Sequence, residues 1–227
     1  MSAWPEKFVI GLTGNIATGK SVVRRMLEHL GAYTIDADTL SHRAIAKGAP
    51  GYQPVVDVFG KFILDASSEI DRAKLGRLAF NDPDVIKNLE AIVHPLVEQA
   101  VDLMIRRASQ RVVVIEAIKL LEGKLAAQCD TIWTTYAPEL VQKTRLMEKR
   151  GMTEQEAMQR IQSQPLQEEK LAVANVVIQN SGSFENTWKQ VVAGWKVISP
   201  LSDTSPLVPR KTGAGELVVQ RGRPADS

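Results

Sequence analysis

The sequence predicts an α/β protein: a mainly parallel five-stranded sheet flanked by helices, with a helical insertion and a helical lid. Three observations predict it. Short apolar runs alternate with helix-period segments along most of the chain, the pattern of a parallel sheet covered on both faces. The first apolar run leads directly into G-x-x-x-x-G-K-S at Gly14–Ser21, and a helix follows. The block 39–107 carries helical patterns and no strong strand, and it is too long for a simple crossover.

Residues 7–13 (KFVIGLT) read as a buried strand. The helix after the glycine-rich turn, 21–30, sets Val22, Val23, Met26, Leu27 and Leu30 on one stripe and stops at Gly31. A second strand, 32–36 (AYTID), closes on two acids, Asp36 and Asp38. Within the block, QPVVDVFGKF, DRAKLGRLAF and DPDVIKNLEAIVHPLVEQAVDLMIRRA have helical period; Asp82 caps the last of them and Pro83 fills its first turn. Strands follow at 111–117, 130–136 and 175–180, with a charge-rich helical region at 137–174 and a closing helix from Phe184. The expected organisation is one domain over 1–198, with the insertion at about 39–107 as a substrate-side lobe and a lid at about 138–165. From Ser199 three prolines and two glycines without helical period mark a linker. The tail GELVVQRGRPADS then holds one isolated strand, which either packs on the sheet or frays.

The bulk numbers bound the function classes. A chain of 227 residues with 28 Lys plus Arg and 26 Asp plus Glu carries a formal charge of +2. That balance gives no support for nucleic-acid or membrane-surface partners through bulk electrostatics. The single cysteine, Cys129, excludes an intramolecular disulfide and a cysteine-based zinc site, as in a reducing, cytoplasmic compartment. The N-terminus MSAWPEKFVIG lacks a signal-peptide pattern, and no stretch reaches the roughly 20 apolar residues of a bilayer span.

The strand, glycine-rich turn and helix together make Gly14–Ser21 a nucleoside-triphosphate cradle. Its curled backbone, Gly14, Asn15, Ile16, Ala17, Thr18 and Gly19 running to Val22, aims N–H groups at the β-phosphate, helped by the dipole of the helix that follows. Lys20 places a charge on the β- and γ-phosphates, and Ser21 offers a hydroxyl to Mg²⁺. A switch GTPase would need a late [NT]-K-x-D guanine reader, which the sequence lacks, and DVFG at 57–60 lies inside a helical pattern. VVVIE ends in Glu116, which weakens a motor or transporter ATPase reading without removing it.

The acids after the second strand argue for a kinase. Phosphoryl transfer to a hydroxyl needs a residue that orients the acceptor and takes its proton. Asp36 and Asp38 face one side of an extended chain, so one can hold Mg²⁺ through water while the other contacts the acceptor. Against this stands a second reading, in which Asp38 only caps a helix beginning near Thr39. The segment PELVQKTRLMEKRGMTEQEAMQRIQSQ also has two readings. It places Arg145, Arg150 and Arg160 on two helices about Gly151, the second opened by a Thr153–Glu156 capping box. Such a pair serves as an arginine-bearing lid that neutralises transition-state charge and excludes water, or it is a solvated charged hairpin.

The run GLTGNIATGKS…YTIDADTLSHRAI…GAPGY…LGRLAF…LEAIVHPLV…RIQSQ…NVVIQNSG resembles the dephospho-coenzyme A kinase family over about residues 7–197. The resemblance implies a P-loop kinase fold with a helical coenzyme-binding domain and a lid. It implies transfer of the γ-phosphate of ATP to the 3′-hydroxyl of dephospho-CoA, the last step of CoA biosynthesis. It also implies Asp38 as the base, Arg145 as a lid arginine, and Asn180 with Gly182 in the nucleotide-base loop. Another nucleoside or nucleotide kinase, or a non-catalytic nucleotide-binding protein, is the alternative.

The departures from the family pattern carry their own expectations. Asn15, Ala17 and Thr18 stand in the cradle where two glycines and a serine are usual; Asn15 is expected to tolerate a left-handed φ, and Ala17 to limit how open the loop is. Lys119 stands where proline is expected and offers a contact to a substrate phosphate. Asn175 stands where an acid is frequent. His94, beside Pro95 in a helical pattern, is assigned to packing or substrate positioning rather than proton transfer. Trp133, Trp188 and Trp195 are expected in the core. The tail ELVVQRGRPADS resembles the opening strand of a GNAT-type acetyltransferase domain, so a fusion to such a domain is a further expectation.

Overall fold

Among the described residues, the five strands of one sheet and ten α-helices follow the alternation read from the sequence. The structure, a computed structural model, describes residues 4–198 and the backbone of 207–211 and 217–221. The chain divides into two compact units, one built from the residues before 36 and from 108 onward, the other from Asp36–Arg107.

In the first unit β1 (Phe8–Thr13), β2 (Tyr33–Asp36), β3 (Val112–Glu116), β4 (Thr131–Tyr136) and β5 (Val176–Gln179) form one sheet in the order β2-β3-β1-β4-β5. The pairs β1–β3, β1–β4 and β4–β5 are parallel. All five residues of β3 are buried, as a central strand covered on both faces requires. Since β1 has β3 on one side and β4 on the other, its carboxyl end opens into the crevice where sheets of this kind bind ligands. Helices α1 (Lys20–His29) and α10 (Phe184–Ile198) cover one face. Val23, Met26 and Leu27 of α1 pack with Val191, Trp195 and Ile198 of α10 against Ile10, Leu12, Val112, Val114 and Trp133.

Trp133 and Trp195 are buried, and Trp188 packs at the edge of this core with its ring against His29 at 5.8 Å. A Cβ added at Gly194 would lie 2.6 Å from Trp133 Cη2. Overpacking of that kind costs about 1–3 kcal/mol, against roughly 1 kcal/mol returned by helix propensity. Gly194→Ala is therefore expected to lower the melting temperature by a few degrees in thermal denaturation; a rise would mean that the indole does not pin this position.

Cys129 lies behind β1, with its thiol donating to Leu125 O at 3.2 Å. Burial, and then the charge of Asp130, push its pKa up to about 12. In the native protein at pH 8 it should react with a disulfide reagent at least about 100-fold more slowly than a free thiol, and at the normal rate once denaturant is added. Fast native labelling would contradict this burial.

The second unit is helical: α2 (Ala37–Ala44), α3 (Tyr52–Phe59), α4 (Arg72–Asn81) and α5 (Pro83–Arg107), with one isolated bridge between Leu64 and Ile70. Its boundary falls at Asp36, slightly earlier than the sequence placed the insertion. DVFG lies in α3 and the glycine after it, as its helical period predicted. Asp82 accepts from Asp84 N at 2.9 Å, so it caps α5 with Pro83 in the first position. The helix runs unbroken through Pro95 and buries Val93, Val97, Val101 and Ile105 on one stripe.

Between β3 and β4 lies the short α6 (Leu125–Gln128), and between β4 and β5 come α7 (Glu139–Arg150), α8 (Glu154–Gln162) and α9 (Gln167–Ala172). Gly151 ends α7 at φ 65°, and Thr153 and Glu156 form the capping box of α8. Those hydrogen bonds from Thr153 hold the Glu156 carboxyl below its usual range. At the C-terminus the sequence reading needs correction. The stretch read as linker contains β6 (Leu207–Lys211), which pairs antiparallel with β7 (Leu217–Arg221), so the strand is not isolated. Five residues interrupted by Pro209 are too short a period for sequence reading to detect; a cross-strand partner reveals it. The remainder of 199–227 lies outside the described residues. Among the described residues no helix is long and apolar enough to cross a membrane.

Candidate active site

β1 delivers the chain at Thr13 into a loop that α1 closes at Lys20. Gly14 has φ 145° and Gly19 φ 95°. A Cβ on Gly14 would overlap the Thr135 hydroxyl and lie 2.6 Å from its carbonyl oxygen, and one on Gly19 would overlap the Asn180 amide nitrogen. The two glycines are thus required by conformation and by space.

The left-handed non-glycine residue of the loop is Ala17, at φ 58°, and not Asn15 as the sequence suggested. That conformation costs an L-residue about 1–2 kcal/mol. Asn15, 4% exposed, acts through its side chain: Nδ2 donates to Pro165 O at 2.9 Å. Its Oδ1 is buried with no hydrogen-bond partner. Ile16 and Ala17 pack on Leu146, Met152, Ala157, Met158 and Ile161 of α7, α8 and their connection. The Ile16 N–H donates to Gln164 Oε1 at 2.8 Å, so this amide, expected from sequence to face the phosphate, is instead engaged by a side chain. Thr18 Oγ1 donates to Asn15 O at 2.8 Å and lies 2.7 Å from Thr135 Oγ1.

Lys20 is buried, and its Nζ donates to Gly14 O at 2.9 Å and Asn15 O at 3.3 Å. Its ammonium is held over the loop that would carry the phosphates. Val22, in the first turn of α1, donates from its N–H to Gly19 O at 3.0 Å, while its side chain is exposed. Ser21 Oγ donates to Glu116 Oε1 at 3.0 Å, and the other carboxylate oxygen accepts from Arg24 Nε at 2.6 Å. Neither Glu116 nor Arg24 was proposed as a site residue from sequence, although Glu116 was noted as the acid that ends VVVIE. The signal for Glu116 was present: a fully buried strand beside the cradle strand closes on an acid. Arg24 follows Ser21 by one helical turn, which puts both on one face.

From α7, Arg145 donates to Ala17 O at 3.0 Å and Asn180 O at 2.6 Å. Burial lowers its pKa from the usual guanidinium value. Asn180 in turn donates from Nδ2 to Thr18 O at 2.8 Å and accepts from Thr187 Oγ1 at 2.9 Å. Arg145, Asn180 and the cradle are therefore one hydrogen-bonded group. Arg150 and Arg160 are exposed in the last turns of α7 and α8, outside that group. Lys119 pairs with Glu122 at 3.2 Å, both about half exposed.

In the helical unit, Asp36 Oδ1 accepts from Thr39 N at 2.8 Å and is the N-cap of α2. The capping reading of Asp38 is thereby overturned. The helix starts at Ala37, two residues before the sequence placed it, so the cap falls to Asp36 and Asp38 lies in the first turn. His94 is half-buried in the middle of α5. Among the described residues no group of three or more His, Cys, Asp or Glu side chains is arranged to hold a metal ion.

A guanidinium brought by α7 onto a glycine-rich cradle at the end of the central strand defines a class, the P-loop kinases. A structure of shikimate kinase from Acinetobacter baumannii shares the fold, with a TM-score of 0.51 at 15% identity over 86% of this chain and 95% of that one. The family model for dephospho-CoA kinase matches residues 8–186, and the chain belongs to the dephospho-CoA kinase family. It is 44% identical over 191 residues to a dephospho-CoA kinase of Geobacter metallireducens, covering 83% of this chain and 95% of that protein. A dephospho-CoA kinase of Carboxydothermus hydrogenoformans is 42% identical over 187 residues, covering 81% and 91% of the two chains. The crystal structure of TT1252 from Thermus thermophilus superposes with a TM-score of 0.75 at 29% identity, over 87% of this chain and all of that one.

Proposed function

We propose that the protein transfers the γ-phosphate of ATP to the 3′-hydroxyl of dephospho-CoA, giving CoA and ADP. The observation that carries the reading is the joining of cradle, Arg145 and Asn180 into one hydrogen-bonded group in a chain of this family. Loop amides and the α1 dipole hold the phosphates, and Lys20 leaves its two carbonyls to take the β- and γ-oxygens. Arg145 meets the charge that develops on the transferring phosphoryl group. Asn180 supports the loop under the nucleotide base. Asp38, two residues beyond the end of β2, takes the proton of the 3′-hydroxyl as its oxygen bonds to the γ-phosphorus and the bond to ADP breaks.

The residues present suit Mg²⁺. Ser21 Oγ and the Glu116 carboxylate, 3.0 Å apart, are the hard oxygen donors that ion takes. Ser21 would be its direct ligand and Glu116 an outer partner, and the bound ion supplies neutralising charge to the phosphates. Asp36, His94, Lys119, Arg150 and Arg160 belong to the proposal as substrate contacts, with the helical unit as the coenzyme-binding lobe. A cytoplasmic setting is also part of it, supported by the lone cysteine. The family match ends at residue 186, so it does not bear on the acetyltransferase-like reading of the tail.

The deciding experiment is ADP release with dephospho-CoA against a panel of nucleosides and nucleoside monophosphates, with the product identified by mass. Stimulation by dephospho-CoA alone is expected. Stimulation by a nucleoside instead would move the acceptor assignment, and no stimulation by any acceptor would make the chain a nucleotide-binding protein without this activity.

A further inference from the structure

The chain returning from α8 to the sheet makes a series of bonds that neither helix α8 nor α9 needs for its own fold. Gln164 Oε1 accepts from the Ile16 N–H at 2.8 Å. The next carbonyl, Pro165 O, accepts from Asn15 Nδ2 at 2.9 Å. At the other end Lys170, 3% exposed, donates from Nζ to Ile118 O at 2.9 Å, the same carbonyl that accepts from Thr13 Oγ1 at 3.2 Å. The Lys170 carbonyl accepts from Thr134 Oγ1 at 3.3 Å. Residues 164–170 are thus a strap across the loops at the carboxyl ends of β1 and β3 and onto β4.

Where the strap meets the cradle matters most. The Ile16 amide has its partner in Gln164, which fixes the Asn15–Ile16 peptide plane, one residue ahead of the turn at Ala17. Ala17 holds a left-handed φ of 58° that an alanine does not adopt by itself. Downstream, its carbonyl is held by Arg145 and that of Thr18 by Asn180. Gln164 is the upstream member of this clamp. A loop clamped on both sides of its strained residue need not be ordered by the nucleotide, and preorganisation of that kind appears as affinity.

We infer that Gln164 is a positioning residue for the ATP cradle, acting through the Ile16 amide to hold the turn at Ala17 in its phosphate-ready form. This rests on the kinase reading only in taking ATP as the ligand. The strap also joins the chain following α8 to the cradle.

The test is Gln164→Met, which keeps the length of the side chain and removes the acceptor. Direct calorimetric titration with a non-hydrolysable ATP analogue and Mg²⁺ should show Kd rising about 3–10-fold, the effect of one net hydrogen bond. The KM for ATP should rise in step, while kcat at saturating ATP and the KM for dephospho-CoA stay within about twofold of the parent. An unchanged Kd would overturn the inference, as would equal increases in both KM values, because a packing role predicts no selectivity for the nucleotide. The titration does not depend on the acceptor. A parent protein that binds the analogue but does not phosphorylate dephospho-CoA would sink the acceptor assignment and leave the ratio of the two Kd values to decide this one.

Discussion

Asp38→Asn is expected to retain ATP binding while turnover with dephospho-CoA falls by about 10²–10⁴, the loss that follows removal of a general base. The substitution is close to isosteric and replaces one carboxylate oxygen, with its charge, by an amide nitrogen. Its interpretation is cleaner than the sequence allowed, because Asp36 and not Asp38 accepts from Thr39 N at the start of α2. Loss of a cap would appear as a loss of stability of about 0.5–2 kcal/mol, and the structure assigns that loss to Asp36→Ala. Since Asp36 is also a proposed substrate contact, its variant reports the cap through the melting temperature and the contact through the KM for dephospho-CoA, while kcat reports Asp38. Asp38→Asn should depress kcat at saturating concentrations of both substrates. Unchanged turnover in Asp38→Asn would remove the residue from the mechanism.

Glu116→Gln should lower kcat/KM by about 10²–10³, comparable to deleting one preorganised electrostatic contact to the transition state. Two effects are combined in it. The carboxylate holds Ser21, the proposed Mg²⁺ ligand, and it also pairs with Arg24, whose side chain is 21% exposed against 5% for the acid. Breaking the ion pair costs stability whichever partner is removed, although the partial exposure of Arg24 reduces that cost. Arg24→Gln breaks the same pair and leaves the acid beside Ser21. Both variants should melt earlier, but only Glu116→Gln should need more Mg²⁺ for half-maximal activity. If Arg24→Gln shifts the Mg²⁺ dependence equally, the acid works through the ion pair and not beside the metal.

Much of the fold was legible because its signals are local. Apolar runs such as VVVIE, the glycine spacing at Gly14 and Gly19, the Thr153–Glu156 box and the cap at Asp82 each depend on residues within one turn or strand. What was misread depends on context. An aspartate two residues from another can cap a helix from either position, and only the start of α2 at Ala37 chose Asp36. Asn is the usual non-glycine left-handed residue, yet the loop placed Ala17 there because Arg145 and its apolar neighbours hold it. Gln164 ends the RIQSQ stretch of the family resemblance, but its partner was hidden, since Ile16 is 148 residues away.

A triphosphate cradle, the strands and helices around it and the family resemblance are all readable from the residues, because propensity, capping and glycine geometry act over a few positions. Tertiary structure alone decided which acid meets Ser21, which residue bears the strain of the loop, and which loop carbonyls Arg145 holds. Those outcomes follow from side chains distant in sequence and crowded into one crevice, where hydrogen-bond partners are settled by packing.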